Sequence, residues 1–201
     1  MKQNQEEDIR IIRQMMERSS KFLSLSGLAG IIAGIAAIAG ALYAYFYIFN
    51  GNTEVHLSEE GIIELLVDAF IVLVIAMGAC LYFSWRKAKK SGQKLLNKVT
   101  YRTLYNLAIP LAAGGVFCLV YLLRGDFVTI MAGTLLFYGL ALVNVSKFTY
   151  EEIHYLGLTE IVFGLLAAWL GCYALWFWIL GFGVCHIVYG VMIYIKYDRK
   201  H

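Results

Sequence analysis

Two ionisable residues stand where hydrocarbon is expected. Glu160 interrupts the apolar run GLTEIVFG (157–164), and His186 interrupts GVCHIVYG (183–190), the same phrase with another polar letter. In each, the polar residue and the two glycines fall at i, i+3 and i+7, one face of a helix. If the two segments are consecutive antiparallel helices, equal depth pairs Gly157 with Gly190 and Gly164 with Gly183. Glu160 then meets His186 across the interface. A bare carboxylate in hydrocarbon costs a few kcal/mol, and an imidazole is a natural partner, as an ion pair or as a neutral pair sharing one proton. Such a pair acts in proton-linked function, or it fixes the register of two helices. Both readings stay open at the level of sequence.

Other polar residues extend the candidate set. Asp68 lies one turn beyond Glu64, and its expected partner is Arg124 in the Arg124-Gly125-Asp126 turn. Asn106 precedes Pro110 by four residues, so proline frees the Asn106 carbonyl and the Asn106 side chain is available to bond across helices. Broken helices of this kind can frame a solute site, which makes small-solute binding or transport between the third, fifth and sixth spans the alternative to sensing or interaction. Cys185 points about 100° away from His186, and His154 lies about 240° around the helix from Glu160. The residues therefore compose neither a closed metal site nor a bis-histidine haem site, and no cofactor is expected. There is no GxSxG, HExxH or GxxxxGK[ST], so nothing asks for an enzyme. Cys80, Cys118, Cys172 and Cys185 are scattered and read as small apolar packers.

The elements that must hold these residues are membrane helices. The chain has 201 residues, 60% hydrophobic and 15% charged, with a single proline and a mean hydropathy of +0.67. Soluble domains carry about 25% charged residues. The expected fold is all-α and polytopic, with six spans near 22–49, 61–85, 103–123, 127–146, 153–170 and 173–195. Three regions follow: an amphipathic helix over 1–21, a transmembrane domain over 22–196 and a tail over 197–201. The leading helix either lies on a membrane or partner surface or is a solvated lead-in to the first span. No cleavable signal peptide is expected, because a polar stretch precedes a first apolar run too long for one.

Charge orients the spans. The connection 86–102 holds seven Lys or Arg and no acid, while 50–60 holds three acids and no Lys or Arg. Positive-inside bias places both termini and the 86–102 connection in the cytosol. The connection sets topology, or binds anionic lipid head groups or an acidic protein partner; with only Tyr101 for stacking, nucleic acid is not expected. In the first span Gly30 and Gly34 begin a small-residue stripe, continued by Ala37 and Ala41, that marks a helix contact within the chain or between copies of it.

The glycine phrase recurs faintly as AGTLLFYG (132–139) and as GLAGIIAG (27–34). GLTEIVFG, GVCHIVYG and AGTLLFYG resemble the glycine-spaced repeats of the HdeD-like small membrane proteins of bacteria. That resemblance covers the last three spans and implies a six-span fold and a link to acid resistance. The leading ERSSKFLSLSGLAG (17–30) resembles the start of uncharacterised small bacterial inner-membrane proteins, which implies a bacterial inner membrane as the location and no particular activity.

Overall fold

The computed structural model describes residues 25–51, 57–90 and 98–199. Six long helical segments account for nearly all of them. They are α1 (Gly27–Ile48), α2 (Glu59–Lys90), α3 (Lys98–Leu122), α4 (Phe127–Phe148), α5 (Glu151–Trp169) and α6 (Gly171–Asp198). All but α5, which carries Glu151, Glu152 and Glu160, are long and apolar enough to cross a membrane. The protein is all-helical and membrane-embedded. The expected helix over 1–21 lies outside the described residues.

Helix bounds differ from the sequence expectation at the basic end. α2 runs on to Lys90 and α3 begins at Lys98, so both flanks of the expected 86–102 loop are helical. At about 1.5 Å per residue, the 32 residues of α2 reach roughly 48 Å, longer than a bilayer core of about 30 Å. Its charged ends therefore project beyond any hydrocarbon layer. α6 likewise takes in the first two residues of the expected tail by running to Asp198.

Glycine governs the packing, through partners other than the expected ones. A Cβ on Gly157 would stand 2.8 Å from the Gly139 carbonyl, and one on Gly164 would stand 2.8 Å from the Leu136 nitrogen. The α5 glycines thus lie on α4. A Cβ on Gly190 would stand 2.7 Å from the Ile31 nitrogen, and Gly34 and Gly30 lie against the backbone near Gly183 and Gly190. The α6 glycines thus lie on α1. The expected Gly157–Gly190 and Gly164–Gly183 contacts are not made. Four copies of one phrase form two antiparallel pairs instead, α1 with α6 and α4 with α5. The helical wheel supplies the reason: the fourth residue of each phrase sits roughly 50° from the midline of its two glycines. The glycines address one neighbour while the polar residue, at the edge of that face, looks to the next.

α2 packs on α1, and α3 packs on α4; these two outer helices, consecutive in the chain, hardly touch each other. The α3 break is satisfied locally. Asn144 on α4 donates its Nδ2 to the Asn106 carbonyl at 2.8 Å, the acceptor that Pro110 leaves without its helical donor. The Asn106 side chain turns back to the Arg102 carbonyl at 2.8 Å rather than bridging helices.

Candidate functional site

Glu160 and His186 do meet. Glu160 is completely buried, and the His186 Nδ1 approaches its Oε1 at 3.3 Å. This is a close polar approach rather than an aligned hydrogen bond: neither Glu160 oxygen has a hydrogen-bond partner, and Nδ1 is directed at the Gly181 carbonyl, 3.1 Å away. A carbonyl only accepts, so Nδ1 carries a proton and donates it there. The other ring nitrogen, Nε2, lies 3.0 Å from the Tyr138 hydroxyl. The site therefore draws on three helices: Tyr138 from α4, Glu160 from α5 and His186 from α6.

Local backbone makes this arrangement possible. Residues Ile179–Cys185 of α6 wind as a π-helix, a form that recurs at functional sites. It carries Gly181 past the head of Glu160. A Cβ at 181 would collide with Glu160 Oε2 and would lie 2.6 Å from Leu135 Cδ2, so the missing side chain leaves the space the carboxyl group fills. Leu135, also fully buried, holds in α4 the phrase position that Glu160 and His186 hold in theirs. Phe182 lies beside the imidazole with ring centroids 5.8 Å apart, and Tyr138 lies beside it at 5.4 Å. Trp178 continues this aromatic wall through Phe182 and donates its indole N–H to Thr134 Oγ1 at 3.2 Å.

Tyr138 was not identified from the sequence. The AGTLLFYG copy has leucine in the polar slot, which hides the hydroxyl one turn further on. The usable signal was the i+3 spacing from Leu135 to Tyr138.

His186 can change protonation without losing either partner. Neutral, with its proton on Nδ1, it accepts at Nε2 from the Tyr138 hydroxyl. As imidazolium it donates at both nitrogens, and the hydroxyl turns to accept. The added positive charge then stands 3.3 Å from Glu160 Oε1. Among the described residues no group of three or more His, Cys, Asp or Glu could hold a metal ion.

The remaining sequence candidates stand apart. Asp68 turns towards α1, where a Cβ on Gly40 would lie 3.2 and 3.3 Å from its two oxygens. Its expected pairing with Arg124 is not made: Arg124 is exposed and its guanidinium lies over Tyr121, 5.3 Å from the ring centroid. Asp68 is on a helix packed to α1, whereas Arg124 follows α3, which is packed to α4, so the two are held on different flanks. Asn106 is engaged along α3 and contributes nothing to the Glu160–His186 group. A cavity of about 120 Å³ lies at the end formed by the α3–α4 and α5–α6 turns, lined by Asp126, Val128, Met131, Cys172 and Leu175 among others; neither Glu160 nor His186 lines it.

A second polar centre lies at the opposite end, where sequence reading saw only basic connections. The Lys87 ammonium donates to the Leu25 carbonyl and the Tyr150 hydroxyl, each at 2.9 Å, and pairs with Asp198 at 2.5 Å. The other Asp198 oxygen accepts from the Ser26 hydroxyl and the Gly27 N–H, both at 2.9 Å. Asp198 thus caps α1 from the far end of the chain, where an anion also suits the helix dipole. Start of α1, end of α2, the α4–α5 connection and end of α6 are tied at one point. Asp198→Ala removes both the carboxylate paired with Lys87 and the cap of α1, and we expect a loss of about 3 kcal/mol, read from unfolding of the purified protein in detergent. A loss within about 0.5 kcal/mol, the range of an ordinary surface change, would show the clasp to be dispensable.

With this geometry in hand, comparison with known proteins adds no relative: no family model, curated protein or solved structure matches the chain.

Proposed function

We propose that this is a six-span inner-membrane protein with both termini cytosolic, working through sensing or interaction rather than catalysis, and that Glu160, His186 and Tyr138 form its proton-responsive centre. One observation carries the reading: a completely buried carboxyl group whose one ionisable partner among the described residues is an imidazole, with a nitrogen at 3.3 Å. Intramembrane ionisable groups are functional candidates by default, and histidine is the side chain suited to report pH near neutrality. A hydroxyl able to donate or accept on the far side of the ring allows the change of state within one fold. The basic end of the helices supports the cytosolic placement of the termini. The resemblance of the glycine phrases to HdeD-like proteins, linked to acid resistance, points the same way.

Trp178, joined to the centre through Phe182, supplies the probe. Protein in detergent micelles is titrated from about pH 5 to 8 while tryptophan fluorescence is followed. The wild type shows a single transition that Glu160→Gln and His186→Gln each abolish or displace. A transition that survives both substitutions unchanged refutes the assignment.

A further inference from the structure

The charged surface at the basic end divides into two kinds of cation. Lys87 and Lys196 are held by Asp198 and Glu152, the latter pair at 2.6 Å. Arg86, Lys89 and Lys90 at the end of α2, and Lys98 and Arg102 at the start of α3, are exposed and form no ion pair with any described residue. Apart from Asp198 and Glu152, both already engaged, the described acid at this end is Glu151.

These two helix ends share a floor. Lys87 reaches Tyr150, and the Arg102 guanidinium lies over Phe148 at 5.4 Å, so the α4–α5 connection runs between them. α2 and α3 hardly touch along their lengths, and each turns an apolar face outward, with Leu81 and Tyr82 on α2 and Leu104 and Ile109 on α3 exposed. Residues beside these helix ends suit a membrane interface. Trp85 is 50% exposed with the Lys89 ammonium 5.2 Å from its ring centroid, and Tyr101 and Tyr105 are 62% and 69% exposed.

We propose that these two helix ends seat an anionic phospholipid: its phosphate is held by Arg86, Lys90 and Arg102, and its acyl chains lie along the exposed apolar faces of α2 and α3. Guanidinium groups suit a phosphate by offering paired donors, and cations bordering exposed apolar helix faces match an amphiphile with a negative head. A soluble anion would gain nothing from those faces, and a zwitterionic lipid would bring no net charge.

The test uses the full-length protein in detergent, offered equal amounts of phosphatidylglycerol and phosphatidylcholine, with retained lipid counted by native mass spectrometry. Phosphatidylglycerol is expected to be retained selectively. Neutralising the exposed cations as Arg86→Gln, Lys90→Gln and Arg102→Gln should weaken that retention about fivefold per residue removed, while Arg124→Gln at the opposite end should leave it unchanged. The single variants guard against a triple variant that does not fold. Equal retention of the two lipids, or a preference indifferent to all three substitutions, overturns the proposal. Displacement of phosphatidylglycerol by millimolar inorganic phosphate also overturns it, since the site would then be one for free phosphate.

Discussion

Gly157→Val is expected to separate α4 from α5 and to destabilise the protein by about 3 kcal/mol, the upper end for overpacking a close interface. The size follows from what the new side chain would meet. A Cβ at 157 would stand 2.8 Å from the Gly139 carbonyl and 2.9 Å from the Val143 nitrogen, and both are backbone atoms of a packed helix. A flexible side chain could swing aside; a helix backbone must translate. In lipid that loss is severe, because close backbone approach is what holds the helices together. Gly190→Val should act similarly on the α1–α6 contact. Gly78→Ala and Gly115→Ala are the controls: nothing lies within 4 Å of either added Cβ. There the change should be neutral or stabilising, by up to about 1 kcal/mol from helix propensity alone. Unfolding in detergent compares the four variants. Losses of similar size at Gly78 and Gly157 would mean that the glycine pairing does not hold the fold.

His186→Ala is expected to remove about 3 kcal/mol or more, as when one member of a buried pair is deleted and the other stays behind. Glu160 would then be a fully buried carboxyl group with no basic neighbour, and the Tyr138 hydroxyl and Gly181 carbonyl would both lose their partner. Adding Glu160→Gln should recover part of that loss, because an amide carries no charge to leave unpaired. The double-mutant cycle therefore measures the coupling directly. Additive effects of the two substitutions would show that Glu160 and His186 stabilise the fold independently, and the shared-proton reading would fail with them.

How much of this was legible beforehand differs from residue to residue. The meeting of Glu160 and His186 followed from depth, because consecutive helices run antiparallel and equal distances from the turn bring equal depths together. Helix α3 shows a second success, in that Pro110 does free the Asn106 carbonyl. Its new donor, Asn144, lies 38 residues away, and no local rule names it. The glycine partners were misassigned although Gly30, Gly34, Gly157, Gly164, Gly183 and Gly190 were each correctly read as packing positions. An i, i+7 spacing tells which face of a helix is smooth, and any helix with a matching smooth face will serve. Four such faces allow several antiparallel pairings.

Lys87 and Asp198 fell outside local reasoning for a different reason. Each sits among like-charged or mixed neighbours, and only the closure of α6 onto α1 brings them together, 111 residues apart.

By itself, then, the sequence determined the all-helical class of the protein, most of its helical segments, the matched positions of Glu160 and His186 and the chemical need of a buried carboxyl group for a partner. These follow from composition and from a periodicity that acts over a few residues. The tertiary structure decided which helix lies beside which, that Tyr138 and the Gly181 carbonyl complete the centre, and that Asp198 caps the first helix. Lateral neighbours depend on the fit of whole surfaces, and the 50° between a phrase's glycines and its polar residue lets one helix serve two partners at once.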